Sequence, residues 1–352
     1  MAKFYYGGQA VMEGVMMRGQ RHMAVAVRAP DGSIVVHEEA LKGLIMHPVM
    51  KLPFLRGLVG LWDALGLGMK ALMFSANVAE QEEEEKGKNA PDLEKSLQGA
   101  AATTPMAIAP VMPDAKPSFP SASIEGAAAW TSIIIALSFM IGIFFVVPVL
   151  AAGLITNLTN TESNLTHNLV EGAIRLLMFI GYIALIGRMR DIKRVFGYHG
   201  AEHKTINAYE AGAPLTPESV QSFTLLNPRC GTTFLLIVMI IATMVFVLVG
   251  KLPFLLMVLS RIVLVPVIAT VAYEFVRLMA NLYDHAIIRS IMAPGLALQK
   301  MTTRPPDLTM IEVAIKALNA VLVADGIIKA KEAAAAHSEH SEEVAEPAVT
   351  LA

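Results

Sequence analysis

The stretch Thr233–Val249, TFLLIVMIIATMVFVLV, holds no charged residue and approaches the roughly 20 residues that carry a helix across a bilayer. Three other stretches read the same way. They are Ala127–Ile155, with Pro148 as an expected kink, Leu169–Ile186, and Ile262–Leu282, preceded by a short apolar piece from Leu252 to Ser260. The composition agrees: 55% of the 352 residues are hydrophobic and 16% charged, with mean hydropathy +0.54. Soluble domains carry about 25% charged residues. The expected fold is mainly α, a polytopic helical membrane protein with about four transmembrane helices, so the first expected partner is the lipid bilayer.

A further apolar segment, Leu52–Phe74, carries Arg56, Asp63 and Lys70 at seven-residue intervals. A single polar stripe suits a helix lying at the membrane better than a lone span, and a membrane-associated helix is expected over 51–79. Residues 1–50 contain a Gly-rich motif and then Val25 and Val27, Pro30-Asp31-Gly32, and Ile34 and Val36. That alternation around a turn signal predicts a small β-hairpin. Residues 80–123 open on a Glu-rich charge run and continue in Pro, Ala, Ser and Thr, which reads as a solvated linker. The span-bearing domain then covers 124–290 and includes a His/Glu loop at 188–232. A C-terminal helix is expected within 291–328, with Thr309 and Glu312 fitting a capping box, and residues 329–352 read as a disordered tail.

The loop from Thr156 to Asn168 has no Lys or Arg, whereas the loop from Arg188 to Arg229 has Arg188, Arg190, Lys193, Arg194, Lys204 and Arg229. The positive-inside rule makes the second loop cytoplasmic and, with four spans, places both termini there as well. The first residues lack the apolar run of a signal peptide, so internal segments are expected to direct insertion. Net charge is -2, so no global basic field attracts nucleic acid. One cysteine, Cys230, excludes an intramolecular disulfide framework. Self-association is left open.

The chemistry is expected in Gly197–Gly212, GYHGAEHKTINAYEAG. On a helix His199, Glu202 and His203 share one face, with Glu210 further along the same stripe. His199-Gly200-Ala201-Glu202-His203 matches H-x-x-E-H, an inverted zinc-hydrolase pattern. Two imidazoles one turn apart suit one divalent metal such as zinc, and Glu202 beside them can take a proton from an activated water. A third ligand is required. Glu274, an ionisable residue inside the last span, is the first candidate and Glu210 the second. Arg277, Asn281 and His285 continue a polar stripe beyond Glu274. Cys230, just before the third span, reads as a ligand or nucleophile, or as a packed small hydrophobe beside a helix cap at Thr232. Glu13 and Arg18 of the Gly-rich motif, with Lys204 and Asn207, are expected around the pocket. The same residues also suit a purely structural cluster, with Glu274 and Arg277 pairing at i, i+3.

The motifs Gly7–Gly19 (GGQAVMEGVMMRG), Gly197–Lys204 (GYHGAEHK), Arg229–Thr232 (RCGT) and Tyr273-Glu274 together make the chain similar to the YqhQ-like family of bacterial membrane proteins, of unknown function. The resemblance runs from Gly7 to about Leu322, leaving out the linker and tail, which look like departures of this member. It implies a bacterial inner-membrane protein described as a predicted metal-dependent enzyme, and it implies no substrate. Three functions follow as expectations. The leading one is metal-assisted hydrolysis at the cytoplasmic membrane surface. The second is a transporter or ion-binding protein, suggested by Glu274, Arg277, Pro148, Pro266 and the short Leu252–Ser260 piece. The third is an assembly or scaffold factor using the N-terminal β piece and the C-terminal helix.

Overall fold

The computed structural model describes residues 6–42, 52–88, 131, 135, 138–140, 142–160, 163–250 and 252–329. The expected linker beyond Lys88 and the tail beyond Lys329 lie outside them.

Four strands come first: β1 (Gly7–Val11), β2 (Gly14–Arg18), β3 (His22–Arg28) and β4 (Ile34–Ala40), in the antiparallel order β1-β2-β3-β4. The Pro30-Asp31-Gly32 hairpin forms where the sequence predicts it, with Gly32 at φ 90°. The Gly-rich motif, outside the one hairpin the sequence predicts, forms a second hairpin, pairing Val11 with Gly14 around Met12-Glu13. Its turn places Glu13 at φ 51°, a conformation that a Glu seldom signals.

The sheet is buried on both faces, so β3 reads His-Met-Ala-Val-Ala-Val-Arg with no polar residue inside. Met23, Val25 and Val27 point one way, onto Leu67, Ala71, Phe74 and Val78 of helix α1 (Leu55–Lys88). Ala24 and Ala26 point the other way, where their small side chains admit a closely packed helix layer. That layer is the His-bearing helix α4 (Arg190–Glu210) with the last helix, α9 (Leu308–Ala324). The C-terminal helix is thus a core element: Ile311, Ala314, Leu318 and Val321 are fully buried. Its N-cap is Asp307, which accepts the Met310 N–H at 2.8 Å, so the capping box expected at Thr309 does not form. Beyond α9 the carboxylate of Asp325 accepts from the backbone of Gln20 (2.6 Å) and Arg21 (3.1 Å) and from His22 Nδ1 (2.8 Å). Gly19 permits this latch, since a Cβ there would stand 2.3 Å from Asp325 Oδ2.

The remaining helices are α2 (Val147–Leu158), α3 (Asn164–Ile186), the short α5 (Pro217–Gln221), α6 (Gly231–Val249), α7 (Phe254–Asn281) and α8 (Ala286–Thr302). Among the described residues, five helices are long and apolar enough to cross a membrane: Leu55–Ala79, Ser138–Leu158, Asn164–Ile186, Gly231–Val249 and Leu255–Asn281. By that measure the chain is a multi-pass membrane protein. The short Leu252–Ser260 piece and the fourth expected span are one helix, with Pro266 inside it. Pro148 acts differently from a simple kink. A π-helical turn, Gly142–Val146, precedes it. Proline cannot donate to the carbonyl four residues back, and that carbonyl, Phe144 O, accepts Arg175 Nε instead at 3.1 Å.

Helix α1 meets the length and hydropathy of a span, yet its polar stripe is spent on neighbours. Arg56 pairs with Glu274 of α7, Asp63 with Arg18 of β2 at 3.1 Å, and Lys70 with Glu39 of β4 at 2.8 Å. The opposite stripe, Leu55, Leu58, Trp62, Leu65, Met69 and Leu72, is exposed, with Trp62 at 78%. The charge run that reads as the start of a linker continues α1 to Lys88. Glu and Lys are good helix formers, so charge alone does not end the helix.

Candidate metal centre

Helix α4 carries His199, Glu202 and His203 on one face, as the spacing predicts. Its middle is buried from Gly200 to Ile206, an unusual setting for so polar a sequence. Two glycines make that fit possible. A Cβ on Gly200 would stand 2.2 Å from the carbonyl oxygen of Arg304, and one on Gly197 would stand 2.8 Å from Met310 Sδ. Their cost in helix propensity is offset by close approach of the segment after α8 and of α9.

The wall facing the histidines consists of the loop before α6 and the C-terminal end of α8. His199 Nδ1 lies 2.9 Å from the carbonyl oxygen of Thr302, and His203 Nδ1 lies 2.5 Å from that of Leu225. A carbonyl only accepts, so each Nδ1 carries a proton, and whenever a ring is neutral its lone pair lies on Nε2. Those Nε2 atoms turn to the same place. His199 Nε2 is 3.3 Å from Cys230 Sγ, and the two rings meet edge-on with centroids 4.5 Å apart. One ligand atom from each of His199, His203 and Cys230 lies within 4.8 Å of the others. Among the described residues this is the one group of three or more His, Cys, Asp or Glu so arranged. Imidazole and thiolate are ligands of a borderline-soft divalent ion, and histidines fixed through the opposite nitrogen are the usual outer support of a metal. The donor set therefore fits a metal ion.

Glu202 stands at the edge of this group, its Oε2 3.5 Å from His203 Nε2. It fills space left by Gly8 of β1, where a Cβ would come within 2.7 Å of Glu202 Cγ. Burial pushes the His203 pKa down, but the Glu202 carboxylate and the hydrogen bond with Cys230 outweigh it, so the pKa is raised above its ordinary value. Glu202, His203 and Cys230 are buried and His199 is half-buried.

Cys230 is the N-cap residue of α6. Its place is fixed by Gln299 of α8, whose side chain is wholly buried. Gln299 accepts from Asn227 N at 3.0 Å and donates to Asn227 O at 2.7 Å and Thr233 Oγ1 at 2.8 Å. One amide thus clamps the Cys230 turn to the helix whose end supplies the Thr302 carbonyl. No sequence pattern marks Gln299; a polar residue inside an apolar helix is the only hint.

The other expected site residues are elsewhere. Glu274 pairs with Arg56 and accepts from Phe54 N at 3.1 Å. Glu210 pairs with Arg229. Neither lies in the group of His199, His203 and Cys230, and an arginine already pairs with each carboxylate. Arg277 and His285 are exposed. Arg18 is held by Asp63. Glu13 pairs with Arg194 and accepts from Tyr198 OH at 3.3 Å. Lys204 and Asn207 brace the loop facing the histidines. Lys204 Nζ donates to the carbonyls of Gln221 and Phe223, and burial lowers its pKa. Asn207 Nδ2 donates to Thr224 O at 2.9 Å and Leu226 O at 3.2 Å. Sequence reasoning also passed over Glu171, Arg175 and Arg261, although ionisable residues inside apolar spans are a recognised signal.

Residues 52–324 match the family model described as "Protein of unknown function (DUF1385)". The chain is 34% identical over 320 residues to the uncharacterized protein YqhQ of Bacillus subtilis (strain 168), covering 90% of this chain and 92% of that relative. No solved structure matches the chain.

Proposed function

This chain belongs to the DUF1385 family of proteins of unknown function, and we propose that it holds a divalent metal, zinc by its ligand chemistry, at His199, His203 and Cys230 and uses it for hydrolysis at the cytoplasmic membrane surface. The observation that carries the reading is the pair of Nδ1 contacts to backbone carbonyls, which leave both Nε2 atoms and the Cys230 sulfur facing one point. A purely structural polar cluster has no need for three ligand atoms that converge with open lone pairs.

A bound divalent ion would supply Lewis acidity toward a carbonyl or phosphoryl oxygen. The chain supplies the rest. His199 and His203 hold the ion through preset tautomers, and Cys230 adds a thiolate. Glu202, beside His203 and outside the ligand set, is the general base that accepts a proton from the attacking water. The basic loop Arg188–Arg229 supports a cytoplasmic orientation for this end of the bundle, and with it both termini. The exposed apolar stripe of α1 supports a helix lying in the membrane surface and carrying the sheet against it. The transporter alternative loses its first support, since Arg56 neutralises Glu274.

Metal analysis of the full chain purified in detergent tests the reading. About one equivalent of zinc per chain is expected by mass action on a three-ligand site, falling to background in His199→Ala and His203→Ala while Glu202→Gln keeps it. A folded wild-type protein that binds no zinc on reconstitution would overturn it.

A further inference from the structure

At the end of the bundle away from the sheet lies a cavity of about 550 Å³ between α2, α3 and the α6–α7 connection. Its walls are largely apolar, among them Leu150, Leu154 and Met257, with Asn157, His167 and Asn168 contributing polar groups. Two of its lining residues sit one helical turn from a buried charged cluster, and a third sits one turn from the ring on which that cluster stacks. Asn168 is one turn from Glu171 on α3, Met257 one turn from Arg261 on α7, and Gly250 one turn past Phe246, to whose carbonyl it donates at 3.2 Å.

That cluster holds Glu171, Arg175 and Arg261, exposed by 1%, 5% and 6%. Arg175 pairs with Glu171, and its Nε is taken by the carbonyl that Pro148 frees. Arg261 Nη2 donates to the same carboxylate at 3.1 and 3.3 Å. Its guanidinium stacks 3.6 Å from the Phe246 ring centroid, and its Nε is buried with no hydrogen-bond partner. Two arginines thus share one glutamate, which leaves one positive charge uncompensated among the described residues of the cluster. Within helices that cross a lipid bilayer, a charge of that kind calls for an opposite one.

We propose that this cavity binds an anionic amphiphile, a molecule with an apolar body and one phosphate or carboxylate, whose acidic group neutralises the Arg261 end of the cluster. The apolar walls suit the body, and Arg261, one helical turn beyond the lining residue Met257, supplies the positive charge for the acid. The site is separate from the histidine centre, which lies at the opposite ends of α3, α6 and α7.

The test uses the full chain in nanodiscs, with retained ligand read by native mass spectrometry. One arm uses phosphatidylcholine with a minor fraction of phosphatidylglycerol, a second uses phosphatidylcholine with oleate, and a third uses phosphatidylcholine with inorganic phosphate. Retention of one phosphatidylglycerol identifies a lipid phosphate as the ligand, and retention of one oleate identifies a free carboxylate; either supports the proposal. Arg261→Met should lower retention at least about tenfold, and Glu171→Gln, which removes the counter-charge, should raise it. Gly153→Leu guards against a folding artefact. Nothing lies within 4 Å of a Cβ at Gly153, a cavity residue on a helix, so leucine fills the space without touching the charges and should abolish retention. Retention of neither amphiphile by wild type, retention unchanged in Gly153→Leu, or inorganic phosphate bound in place of the amphiphiles would overturn the proposal.

Discussion

Replacing Gln299 by Leu removes the clamp on Cys230 while leaving every proposed ligand in place. Gln299 is wholly buried and makes three hydrogen bonds to the Cys230 turn and the start of α6. The partners fare unequally. Asn227 O keeps a second bond from Cys230 N at 3.2 Å, whereas Asn227 N donates to Gln299 Oε1. Orphaning one buried N–H costs about 1–3 kcal/mol, and losing two further bonds about 0.5–1.5 kcal/mol each, so roughly 2–6 kcal/mol in all. The loss falls on the segment that holds the Cys230 sulfur and on the helix end that holds the Thr302 carbonyl. Metal affinity should therefore fall about 10–100-fold, the usual effect of losing an outer support of a metal ligand. Zinc competition against a chelator measures the affinity, and thermal unfolding in the same detergent measures stability. Gln299→Glu keeps the acceptor for Asn227 N and should fall between wild type and Gln299→Leu. A folded Gln299→Leu protein with wild-type zinc affinity would refute the argument that this amide positions the centre.

Zinc affinity should drop as pH falls through the raised pKa of His203, since proton and ion compete for Nε2. In the metal-free protein the sign reverses: a folded-state pKa above the unfolded value gives stability that is complete below about pH 6.5 and lost as pH rises through the folded value. Melting curves against pH, with zinc and with chelator, should merge at low pH and separate as pH rises; parallel curves would count against it. Asp325→Ala breaks the latch between the end of α9 and the β2–β3 turn and should cost about 1–3 kcal/mol, with metal affinity intact, because its three donors are partly exposed and regain water. Trp62 should be quenched by lipids brominated near the headgroup and not by lipids brominated at the chain end, measured in Trp130→Phe protein since the chain has two tryptophans; the opposite pattern would make α1 a span.

What the sequence reveals depends on how local the cause is. The His199–Glu202–His203 face follows from helical spacing alone and appears where expected. Cys230 is legible as a candidate because it stands at the head of an apolar helix. Its partnership with the histidines is not, since it depends on the loop folding back along α4. Glu274 misleads for a related reason: a carboxylate in a span needs a partner, and the partner, Arg56, comes from a helix far away in sequence. The seven-residue stripe of α1 is visible, but its three ion-pair partners on α7, β2 and β4 are not. The first hairpin hides because its turn uses Met12-Glu13 instead of Asn-Gly or Asp-Gly. Gln299 shows only as a polar residue inside an apolar helix, and Asp325 not at all, because the side-chain contacts of both are tertiary.

The central claim is that His199, His203 and Cys230 share one ion, and cobalt substitution reads it most directly. Cobalt(II) bound by these residues should give visible ligand-field bands together with a thiolate-to-cobalt charge-transfer band in the near ultraviolet. Cys230→Ser should lose the charge-transfer band while keeping residual cobalt, and His203→Ala should lose both. Cobalt bound by wild type with no thiolate band, or with a spectrum unchanged in Cys230→Ser, would contradict the account.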